Sequence, residues 1–490
     1  MTEIEQGREI RGDQRRDCDV VVIGSGGGGA VAAYELASAG LDVLVLEAGP
    51  WIKPEEFTQR EIDTITRVYV DQGTQGAPDG SISVLQGECI GGSTVVNGEV
   101  CFRTPDFVLA EWAERFGVRD LSAEELKPIF AHVEEMINVT TNSERFTTHA
   151  EKAAAGLAKL GLNARPIDRN VKNCRGCCYC FFGCAYGCKQ SVDQSYLPRA
   201  MDKGARVIAE ARVGEIRLSS GAASGVVAKT RNGRLDVRAK QVVVACGAIA
   251  TPLLLSDNGL GGTTVGQNLS LHPVVFVSGF FRDTLPERPQ TMLAVYCDDF
   301  LEQGFLAEFG SGSRAFSAQG MPGFGREHRT WLNELHNAWS GGAIIRDDGS
   351  TGRVYRDKKG AKVIDYKLTP KTRERLRAAL KQIAEVNFAA GASRVFVPTI
   401  APTILDSPDD LSRFDQLPLG PADITLVSYH PQGTAPIGRI TDNDGRVLGT
   451  DNVYVMDTSL FPTPTGVNPQ VSVMAVVTVM ARKLAGRMGH

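Results

Sequence analysis

A glycine-rich turn between two short apolar segments constrains the fold of this chain more than any other feature. Residues 18–47 read CDVVVIGSGGGGAVAAYELASAGLDVLVLE. Residues 20–23 predict a buried strand, 30–38 a helix of small residues, and 42–47 a second strand that ends on an acid. The turn has the spacing Gly-x-Gly-x-x-Gly, at Gly24, Gly26 and Gly29. Strand, turn, helix, strand and acid in this order predict a dinucleotide-binding unit.

Each part of this unit has a physical role. Gly24 permits the tight turn, Gly26 lets the backbone approach a pyrophosphate, and Gly29 lets the helix lie close to the strand. The helix N-terminus faces the phosphates, and Glu47 can accept a hydrogen bond from a ribose hydroxyl. The motif itself suits FAD or NAD. FAD is favoured, because the chain has no second glycine fingerprint after a strand and because Gly49-Pro50 is typical of chains that begin with an FAD site.

Length and composition bound the remaining possibilities. At 490 residues the chain should form at least two domains. A formal net charge of −4 argues against nucleic acid as the main partner. The longest apolar stretch, 471–480, is about half of what a membrane span needs. Residues 1–17 are polar and contain no secretory signal, so we expect a cytoplasmic protein; export beside a signal-bearing partner stays open.

Two further glycine-rich segments suit a nucleotide site. Residues 87–97 read GECIGGSTVVN, where paired glycines and hydroxyls let main-chain N–H groups approach a flavin or phosphate; the predicted contacts are Gly91, Gly92, Ser93 and Asn97. Residues 242–246 predict another buried strand, and 247–259 a glycine turn with a short helix. This second segment predicts another crossover of the nucleotide domain. Either segment alone is more often a plain structural turn.

The C-terminal region contains the candidate catalytic residues. His430 lies in the loop sequence SYHPQGT, and Asn468-Pro469 precedes an apolar helix predicted over 470–484. Pro469 at the first helical position and Asn468 as the cap would make a well-formed start. An electropositive helix start beside a reduced, anionic flavin would stabilise it. A role for Asn468 as a cap only stays an alternative. His272 is interpreted as structural.

Together these segments resemble the glucose–methanol–choline (GMC) oxidoreductase family, in register over residues 19–485. The resemblance implies an α/β protein with a Rossmann-like FAD-binding domain of the para-hydroxybenzoate hydroxylase type and an α+β substrate domain on an antiparallel sheet. We expect a discontinuous FAD domain over 1–270 and 425–490, and the substrate domain over 271–424. Some relatives attach flavin covalently through a histidine at the position of Val96. FAD should therefore be bound non-covalently here.

The resemblance also implies oxidation of a small-molecule alcohol by hydride transfer to flavin N5. His430 matches the histidine that takes the hydroxyl proton, and Asn468 matches the residue that aligns the substrate oxygen. Further FAD contacts are expected at Val213, Asp457 and Pro469. The sequence does not choose among sugar, sterol, aliphatic and aromatic alcohols.

Six cysteines lie within fifteen residues, in a predicted loop over 172–190. Four have the spacing C-x2-C-x2-C-x3-C that ferredoxins use for iron–sulfur clusters: Cys174, Cys177, Cys180 and Cys184. Zinc and free or oxidised thiols are the alternatives. A resemblance to bacterial FAD glucose dehydrogenases, which carry a three-iron cluster, favours the register Cys174, Cys180 and Cys184. The predicted cofactors are thus FAD and a [3Fe-4S] or [4Fe-4S] cluster.

These observations predict an FAD-dependent alcohol dehydrogenase whose electrons leave through the cluster to an external acceptor protein or subunit. One alternative is an alcohol oxidase that uses oxygen and has structural cysteines. An alternative of another class is a flavin and iron–sulfur electron-transfer subunit without a substrate of its own. A lyase also stays open, since the family includes members without redox chemistry.

Overall fold

Two β-sheets, one built on the glycine-rich turn and one on the middle of the chain, organise the protein. The computed structural model describes residues 3–141, 148–285, 290–319, 321, 323–350, 352–399, 403–421 and 423–490. The strands are β1 (Glu5–Gln6), β2 (Arg11–Ile23), β3 (Val43–Leu46), β4 (Ser83–Val84), β5 (Val139–Thr141), β6 (Arg165–Pro166), β7 (Asp168–Asn170), β8 (Arg206–Ala209), β9 (Arg212–Ser219), β10 (Ala222–Lys229), β11 (Asn232–Val244), β12 (Gln267–Leu269), β13 (Val274–Phe280), β14 (Leu293–Cys297), β15 (Phe305–Gly310), β16 (Ala338–Ile345), β17 (Gly352–Arg356), β18 (Lys362–Asp365), β19 (Arg394–Val397), β20 (Thr403–Leu405), β21 (Val427–Ser428) and β22 (Val453–Val455).

The α-helices are α1 (Gly27–Ser38), α2 (Glu61–Val68), α3 (Asp106–Phe116), α4 (Ala123–Met136), α5 (Thr148–Lys159), α6 (Tyr196–Asp202), α7 (Gly247–Asp257), α8 (Arg314–Gln319), α9 (Gly325–Glu334), α10 (Pro370–Ala389) and α11 (Gln470–Arg487). The segments predicted from the sequence as strand or helix are formed as expected. The first predicted strand is longer, because β2 extends back to Arg11 and pairs with β11 along its whole length. The first helix begins at Gly27, because part of the glycine run joins its first turn.

The first sheet has the order β1-β8-β3-β2-β11-β10-β9, and β22 pairs with the far end of β11. Strands β8, β3, β2, β11 and β22 are parallel, and their apolar residues are buried on both faces. Helices α1, α6 and α11 pack together beside them. Because parallel strands need crossovers, their carboxyl ends meet at one edge of the sheet, where ligands bind.

Glycines allow the turn after β2 to contact neighbouring backbone directly. Gly24 has a φ of +98°, and a Cβ there would lie 2.4 Å from the Ala245 carbonyl oxygen. A Cβ on Gly28 would lie 1.9 Å from the Met456 carbonyl oxygen. A Cβ on Gly29 would lie 2.0 Å from the carbonyl oxygen of Gly24, so its predicted packing role agrees with the geometry. No larger residue fits these contacts without movement of the backbone.

The second sheet has the order β20-β19-β13-β16-β15-β14-β6, and all these neighbours are antiparallel. Helix α10 covers one face and buries Leu376, Leu380 and Ile383 against it. The alternate residues of β13 and β16, such as Val274 and Ile344, belong to a separate apolar cluster on the other face. The expected α/β class with an antiparallel second sheet is confirmed.

The two sheets are joined by more of the chain than the predicted domain bounds suggest. Strand β21 pairs with both β13 and β4, and β6 pairs with β14, so segments near residues 83 and 165 contribute to the second sheet. The bounds 1–270 with 425–490, and 271–424, stay a prediction. In the part of the chain that is described, no helix is both long enough and apolar enough to cross a membrane.

Candidate active site

A cavity of about 780 Å³ lies between the carboxyl ends of the parallel strands and the second sheet. Its wall includes Ile23 and Leu46 at the ends of β2 and β3, and Val274 and Phe276 on β13. A volume of this size lies within the range of enclosed ligand sites in proteins. We call it the main cavity.

The nucleotide side of the main cavity is formed by the N-terminus of α1 and by Glu47. The Glu47 carboxylate accepts hydrogen bonds from the Ser25 N–H at 2.9 Å, the Ser25 hydroxyl at 2.7 Å and the Gly49 N–H at 3.0 Å. Burial raises its pKa, and these hydrogen bonds counteract part of the rise. Glu47 also lines the cavity, and a carboxylate can accept further hydrogen bonds, so the predicted ribose contact stays a prediction that this position allows.

Glycine backbone forms both walls where a pyrophosphate would pass. A Cβ added to Gly92 would lie 2.8 Å from the Gly26 Cα, so Gly92 has no room for a side chain there, whereas a Cβ on Gly26 would make an ordinary contact of 3.8 Å with the Gly92 Cα. Gly26, Gly27 and Gly28 present the first turn of α1 to the cavity. Free N–H groups at a helix N-terminus suit an anion. The site residues therefore fit FAD.

Asp457 joins the nucleotide side to the crossover that leads into α7. Its carboxylate accepts hydrogen bonds from the Gly247 N–H at 2.9 Å, the Thr251 hydroxyl at 2.5 Å and the Ser459 N–H at 2.8 Å. Burial raises its pKa. Asp457 thus orients the backbone around the cavity, which Val213 lines from the first sheet.

Most of the predicted FAD contacts lie on the wall of the main cavity, and their roles stay predictions. Gly29 and Gly91 lie behind that wall, where Gly29 packs against the strand and Gly91 donates its N–H to the Ser25 hydroxyl at 3.0 Å. The Asn97 amide donates to the Gln470 side chain at 2.8 Å, so it supports the wall through α11. The residues on the wall itself are Gly24, Gly26, Glu47, Gly92, Ser93, Asn97, Val213, Asp457 and Pro469.

His430 and Asn468 line the same cavity, although 38 positions separate them in the sequence. His430 follows β21, and Asn468 lies before α11. Burial lowers the pKa of His430 to about 3, so its imidazole is neutral near pH 7. Among the described residues, neither His430 Nδ1 nor Asn468 Oδ1 has a hydrogen-bond partner. Both residues therefore line the cavity, and each retains a buried polar atom without a partner among the residues described.

The prediction that Asn468 caps α11 is wrong. Pro469 occupies the cap position, the helix begins at Gln470, and no side chain caps it. Pro469 was expected at the first helical position but lies at the cap, because its φ of −88° and ψ of 3° are outside the helical region. The Asn468 side chain is thereby released from the helix terminus.

Glu308 is a cavity residue that the sequence analysis missed. It lies on β15, opposite Gly342 on β16, with 6% of its surface exposed. Burial raises its pKa to about 8, and a hydrogen bond from the Asn468 side chain counteracts part of the rise. Its Oε1 has no partner within the described parts of the chain. The available signal was a lone acid in the buried run Phe305–Gly310, which otherwise contains only apolar residues and glycine.

The rest of this side of the cavity is apolar apart from the Tyr429 hydroxyl, which is buried and has no partner among the described residues. Val274 and Phe276 on β13 lie beside Ile344 on β16, and Gly342 leaves room for the Phe276 ring, whose Cε1 would be 3.0 Å from an added Cβ. The wall is completed by Val100, Phe181, Leu293 and Tyr429. The Phe181 and Tyr429 rings stack with centroids 5.0 Å apart.

The six clustered cysteines surround a second, much smaller cavity of about 10 Å³, which we call the cysteine cavity. All eleven cysteines of the chain lie in the described ranges, and they form no disulfide there. The Cys178 and Cys188 thiols donate to the carbonyls of Gln290 and Asn173, both at 3.2 Å. The Cys184 sulfur instead accepts N–H groups, from Cys188 at 3.2 Å and from Lys189 at 3.4 Å. Cys178 and Cys188 are thus hydrogen-bond donors through their thiols, whereas Cys184 is an acceptor through its sulfur.

Buried charges adjoin the cysteine cavity. Arg169 and Glu99 form an ion pair at 3.1 Å, and both are nearly inaccessible to solvent. The Lys189 ammonium donates to the carbonyls of Val95 at 2.6 Å, Asn97 at 3.0 Å and Cys180 at 2.7 Å. Because Asn97 also lines the main cavity, Lys189 connects the two cavities through a single segment.

The placement of the predicted ligands Cys174, Cys177, Cys180 and Cys184 does not match a metal site. Over the described ranges, no three His, Cys, Asp or Glu side chains are arranged to hold a metal ion. Burial raises the pKa of Cys177, and raises that of Cys180 well above its usual value. These residues lie together at one cavity, but they do not fit a metal as they are placed.

A sheet with a parallel core and a dinucleotide cradle, facing an antiparallel sheet across one cavity, is the architecture of a flavoprotein oxidoreductase. The sequence matches the GMC oxidoreductase N-terminal domain over residues 65–274, the C-terminal domain over 348–476 and an FAD binding domain over 19–53. The chain belongs to the GMC oxidoreductase family. The predicted enzyme class, an FAD-dependent oxidoreductase acting on CH–OH groups, is confirmed.

Two relatives and one solved structure illustrate the similarity. An uncharacterised GMC-type oxidoreductase of Mycobacterium tuberculosis is 36% identical and covers 96% of this chain and 76% of the relative. Long-chain-alcohol oxidase FAO4B of Arabidopsis thaliana is 28% identical over 95% of this chain and 67% of its own length. The crystal structure of pyridoxine 4-oxidase from Mesorbium loti has a TM-score of 0.74 at 18% identity, over 95% of this chain and 99% of that one. The last comparison shows the fold alone.

Replacing Glu308 by Gln should change how stability depends on pH. The folded pKa of about 8 lies above the ordinary value of 4.5, so the folded state binds more protons between these values and loses stability as pH rises. The introduced amide does not titrate, so the variant should gain stability relative to the parent between pH 5 and pH 9, by up to about 4 kcal/mol. Denaturant unfolding of both proteins at the two pH values measures this difference.

The control is Glu308→Asp, which keeps a carboxyl group at the site and should keep the pH dependence. An equal stability difference between Glu308→Gln and the parent at pH 5 and at pH 9 would show that Glu308 does not hold its proton in the folded protein.

Proposed function

We propose that this protein oxidises alcohols with an apolar body, with FAD as the hydride acceptor. The observation that carries the proposal is that His430, Asn468 and Glu308 line one cavity and that each has a buried polar atom without a partner within the described structure: Nδ1, Oδ1 and Oε1 respectively. A buried polar atom without a partner costs about 1–3 kcal/mol, which a bound hydroxyl would recover. The alcohol-oxidising relative supports the same chemistry.

The side chains would hold FAD along the nucleotide side of the main cavity. The first turn of α1 supplies N–H groups for the phosphates, Glu47 supplies an acceptor for the ribose, and Val213 supplies an apolar contact. When bound, FAD provides the two-electron acceptor that the chain itself lacks. Binding is non-covalent in this proposal, because Val96 offers no nucleophile.

His430 is the proposed base for the hydroxyl proton. Its imidazole is neutral because burial disfavours the cation, and the residue lines the cavity. A general base must have an unprotonated atom within reach of the proton that it removes. His430 meets the protonation requirement throughout the physiological pH range.

Asn468 and Glu308 are the other two polar residues to which the proposal assigns a role. The Asn468 amide donates one hydrogen bond to Glu308 and has its oxygen free, so the carboxyl orients the amide relative to the cavity. Asn468 would then align the substrate oxygen against His430. Glu308, whose carboxyl holds its proton below about pH 8, is a second titratable group on the same cavity.

The apolar wall favours hydrocarbon over sugar. A sugar would leave several hydroxyls facing Val274, Phe276 and Ile344 without hydrogen-bond partners. An alkyl chain loses no hydrogen bonds there and removes apolar surface from water. This supports a long-chain or other apolar alcohol as the substrate, in line with the name of the Arabidopsis relative.

The rate of flavin reduction should rise with the length of a primary alcohol. Each buried methylene is worth about 0.8 kcal/mol, which corresponds to roughly a fourfold rise in kcat/KM per carbon until the apolar wall is filled. Steady-state kinetics with alcohols of increasing chain length, and with glucose as the polar comparison, measure this trend. Faster turnover of glucose than of every apolar alcohol would contradict the proposed substrate class.

Replacing His430 by Ala should leave flavin bound but slow its reduction by an alcohol by about 100-fold or more. The measurement is anaerobic stopped-flow absorbance with the best alcohol of the series, at equal flavin content. His336→Ala is a matched control, because His336 lies on the short turn at residues 335–337, away from the main cavity. Normal flavin reduction in His430→Ala would remove His430 from the mechanism.

Whether electrons leave the flavin for an acceptor protein or for oxygen depends on whether the cysteine cavity holds an iron–sulfur cluster. An iron–sulfur cluster at Cys174, Cys177, Cys180 and Cys184 stays a prediction, which the convergence of these thiols beside the main cavity supports. Since the placed thiols do not fit a metal within the described ranges, no electron-transfer step is assigned to them here. The proposed mechanism ends at the reduced flavin. The cytoplasmic location and an acceptor protein likewise stay predictions.

Measuring the iron and acid-labile sulfide of anaerobically purified protein distinguishes an external acceptor reached through a cluster from oxygen. The dehydrogenase prediction requires about three or four iron atoms per chain and reduction of an artificial acceptor. The oxidase alternative requires protein without iron that forms hydrogen peroxide from alcohol and oxygen. Flavin that stays oxidised with every alcohol, in iron-containing protein, would favour the electron-transfer subunit instead.

A further inference from the structure

Three buried segments meet behind the candidate catalytic residues: 270–272, 430–432 and 465–468. Ser270 and Gln432 exchange two backbone hydrogen bonds, of 3.0 Å and 2.9 Å. The first segment contains His272, which the sequence analysis interpreted as structural. The second segment begins at His430, and the third ends at Asn468. The contacts among the three segments therefore determine how the two catalytic candidates lie relative to each other.

His272 contacts both of the other segments with its ring. Its Nε2 accepts a hydrogen bond from the Gly466 N–H at 3.0 Å, two residues before Asn468. Its ring lies edge-to-face with the His430 ring, with centroids 5.6 Å apart and an interplanar angle of 87°. The imidazole is completely buried. One side chain thus contacts the catalytic imidazole and the loop that carries the catalytic amide.

Gln432 makes the complementary connection. Its Oε1 accepts from the Thr465 N–H at 3.2 Å, and its Nε2 donates to the His430 carbonyl at 3.2 Å. The same Nε2 lies 3.3 Å and 3.4 Å from the two ring nitrogens of His272. Gln432 is also completely buried. Together, His272 and Gln432 fasten the His430 loop to the Asn468 loop.

The backbone of His272 is itself held in an uncommon conformation. Its φ of +48° lies in the left-handed region, which residues other than glycine seldom adopt. The Asp347 carboxylate accepts hydrogen bonds from the Leu271 N–H at 2.9 Å, the His272 N–H at 3.2 Å and the Tyr366 hydroxyl at 2.8 Å. Strained backbone of this kind persists where the surroundings hold it in place.

We propose that His272 and Gln432 are positioning residues that set the separation and mutual orientation of His430 and Asn468. The proposal rests on the proposed function, in which these two residues act on one hydroxyl. Catalysis of that kind depends on placement, since a shift of about 1 Å can cost roughly 100-fold in rate.

The same geometry requires His272 to stay neutral. Because Nε2 accepts the Gly466 N–H, it carries no proton, and a cation at this position would repel a proton on His430. The titratable or charged groups that face the ring are His430, Arg346 and Asp347. Burial first, and then the neighbouring His430 and Arg346, lower the pKa of His272 well below its usual value, in agreement with this requirement.

The first test needs no substrate. Protein labelled with ¹⁵N in its seven histidines reports each ring nitrogen by NMR, and His272→Phe assigns the His272 signals. We expect the His272 Nε2 to stay unprotonated from about pH 5 to about pH 9. Titration of His272 within that range would overturn the proposal, whether or not any alcohol reduces the flavin.

The second test measures flavin reduction per bound flavin by the best alcohol. His272→Phe keeps a ring but removes the acceptor, so we expect a fall of about tenfold or more, with a shifted pH profile. His272→Gln, whose amide oxygen can accept the Gly466 N–H, should restore most of the rate. Gln432→Met should act like His272→Phe and serves as the second variant if the latter does not fold.

His149→Phe is the matched control, because His149 is another buried imidazole, bonded to Ser311 and distant from the main cavity. It should lower the thermal midpoint without changing the rate per flavin or the pH profile. A rate and pH profile within about twofold of the parent in both His272→Phe and Gln432→Met would overturn the positioning role. An unreactive parent would count against the proposed function alone, since the NMR titration still tests the neutral His272.

Discussion

Direct backbone contact at the glycine turn is the constraint on which the rest of the molecule depends. Gly24 lies against the carbonyl of Ala245, and Gly28 lies against that of Met456, so the ends of β2, β11 and β22 meet with no side chains between them. This contact brings the N-terminus of α1, the crossover into α7 and the loop with Asp457 to one edge. A Cβ at either glycine would separate these elements and open the nucleotide side of the main cavity. The cradle for FAD is thus a consequence of backbone packing.

The opposite side of the main cavity combines an apolar wall with one buried acid. Its strands bury apolar side chains, as an antiparallel sheet with one covered face does, but Glu308 interrupts them. Burying an acid in such a wall is unfavourable, which is why its pKa rises to about 8. Its Oε1, together with His430 Nδ1 and Asn468 Oδ1, lacks a partner within the described structure. A wall that is apolar except at a few polar atoms suits an alcohol with a hydrocarbon body.

The cysteine cavity adds a second buried polar region next to the first. Lys189 is surrounded by carbonyl oxygens from Val95, Asn97 and Cys180, so the cysteine loop and the wall of the main cavity share one cation. A buried ammonium with three acceptors is stable, because each of its protons is hydrogen-bonded. The thiols themselves divide into donors and acceptors of backbone hydrogen bonds. Whatever the loop binds, its position is coupled to the flavin side through Lys189.

The sequence alone was sufficient for the nucleotide side and for the main helices and strands. Its motifs are local: the glycine spacing, the buried strand and the terminal Glu47 lie within 30 residues, so their chemistry can be interpreted without knowledge of distant contacts. His430 and Asn468 were found through family resemblance, because a lone histidine in a loop carries no local signal.

Only the tertiary structure decided which side chains share the main cavity and which atoms stay free there. Glu308 and His272 are inconspicuous in sequence, and their significance arises from strands and loops that are far apart along the chain. The cap assigned to Asn468 was wrong because Pro469 takes that position, a difference of one residue that no local preference resolves. The spacing of the cysteines was known from the sequence, but the directions of their sulfur atoms were not. Local spacing determines which chemistry is possible, whereas burial and long-range packing determine which polar atoms remain free to perform it.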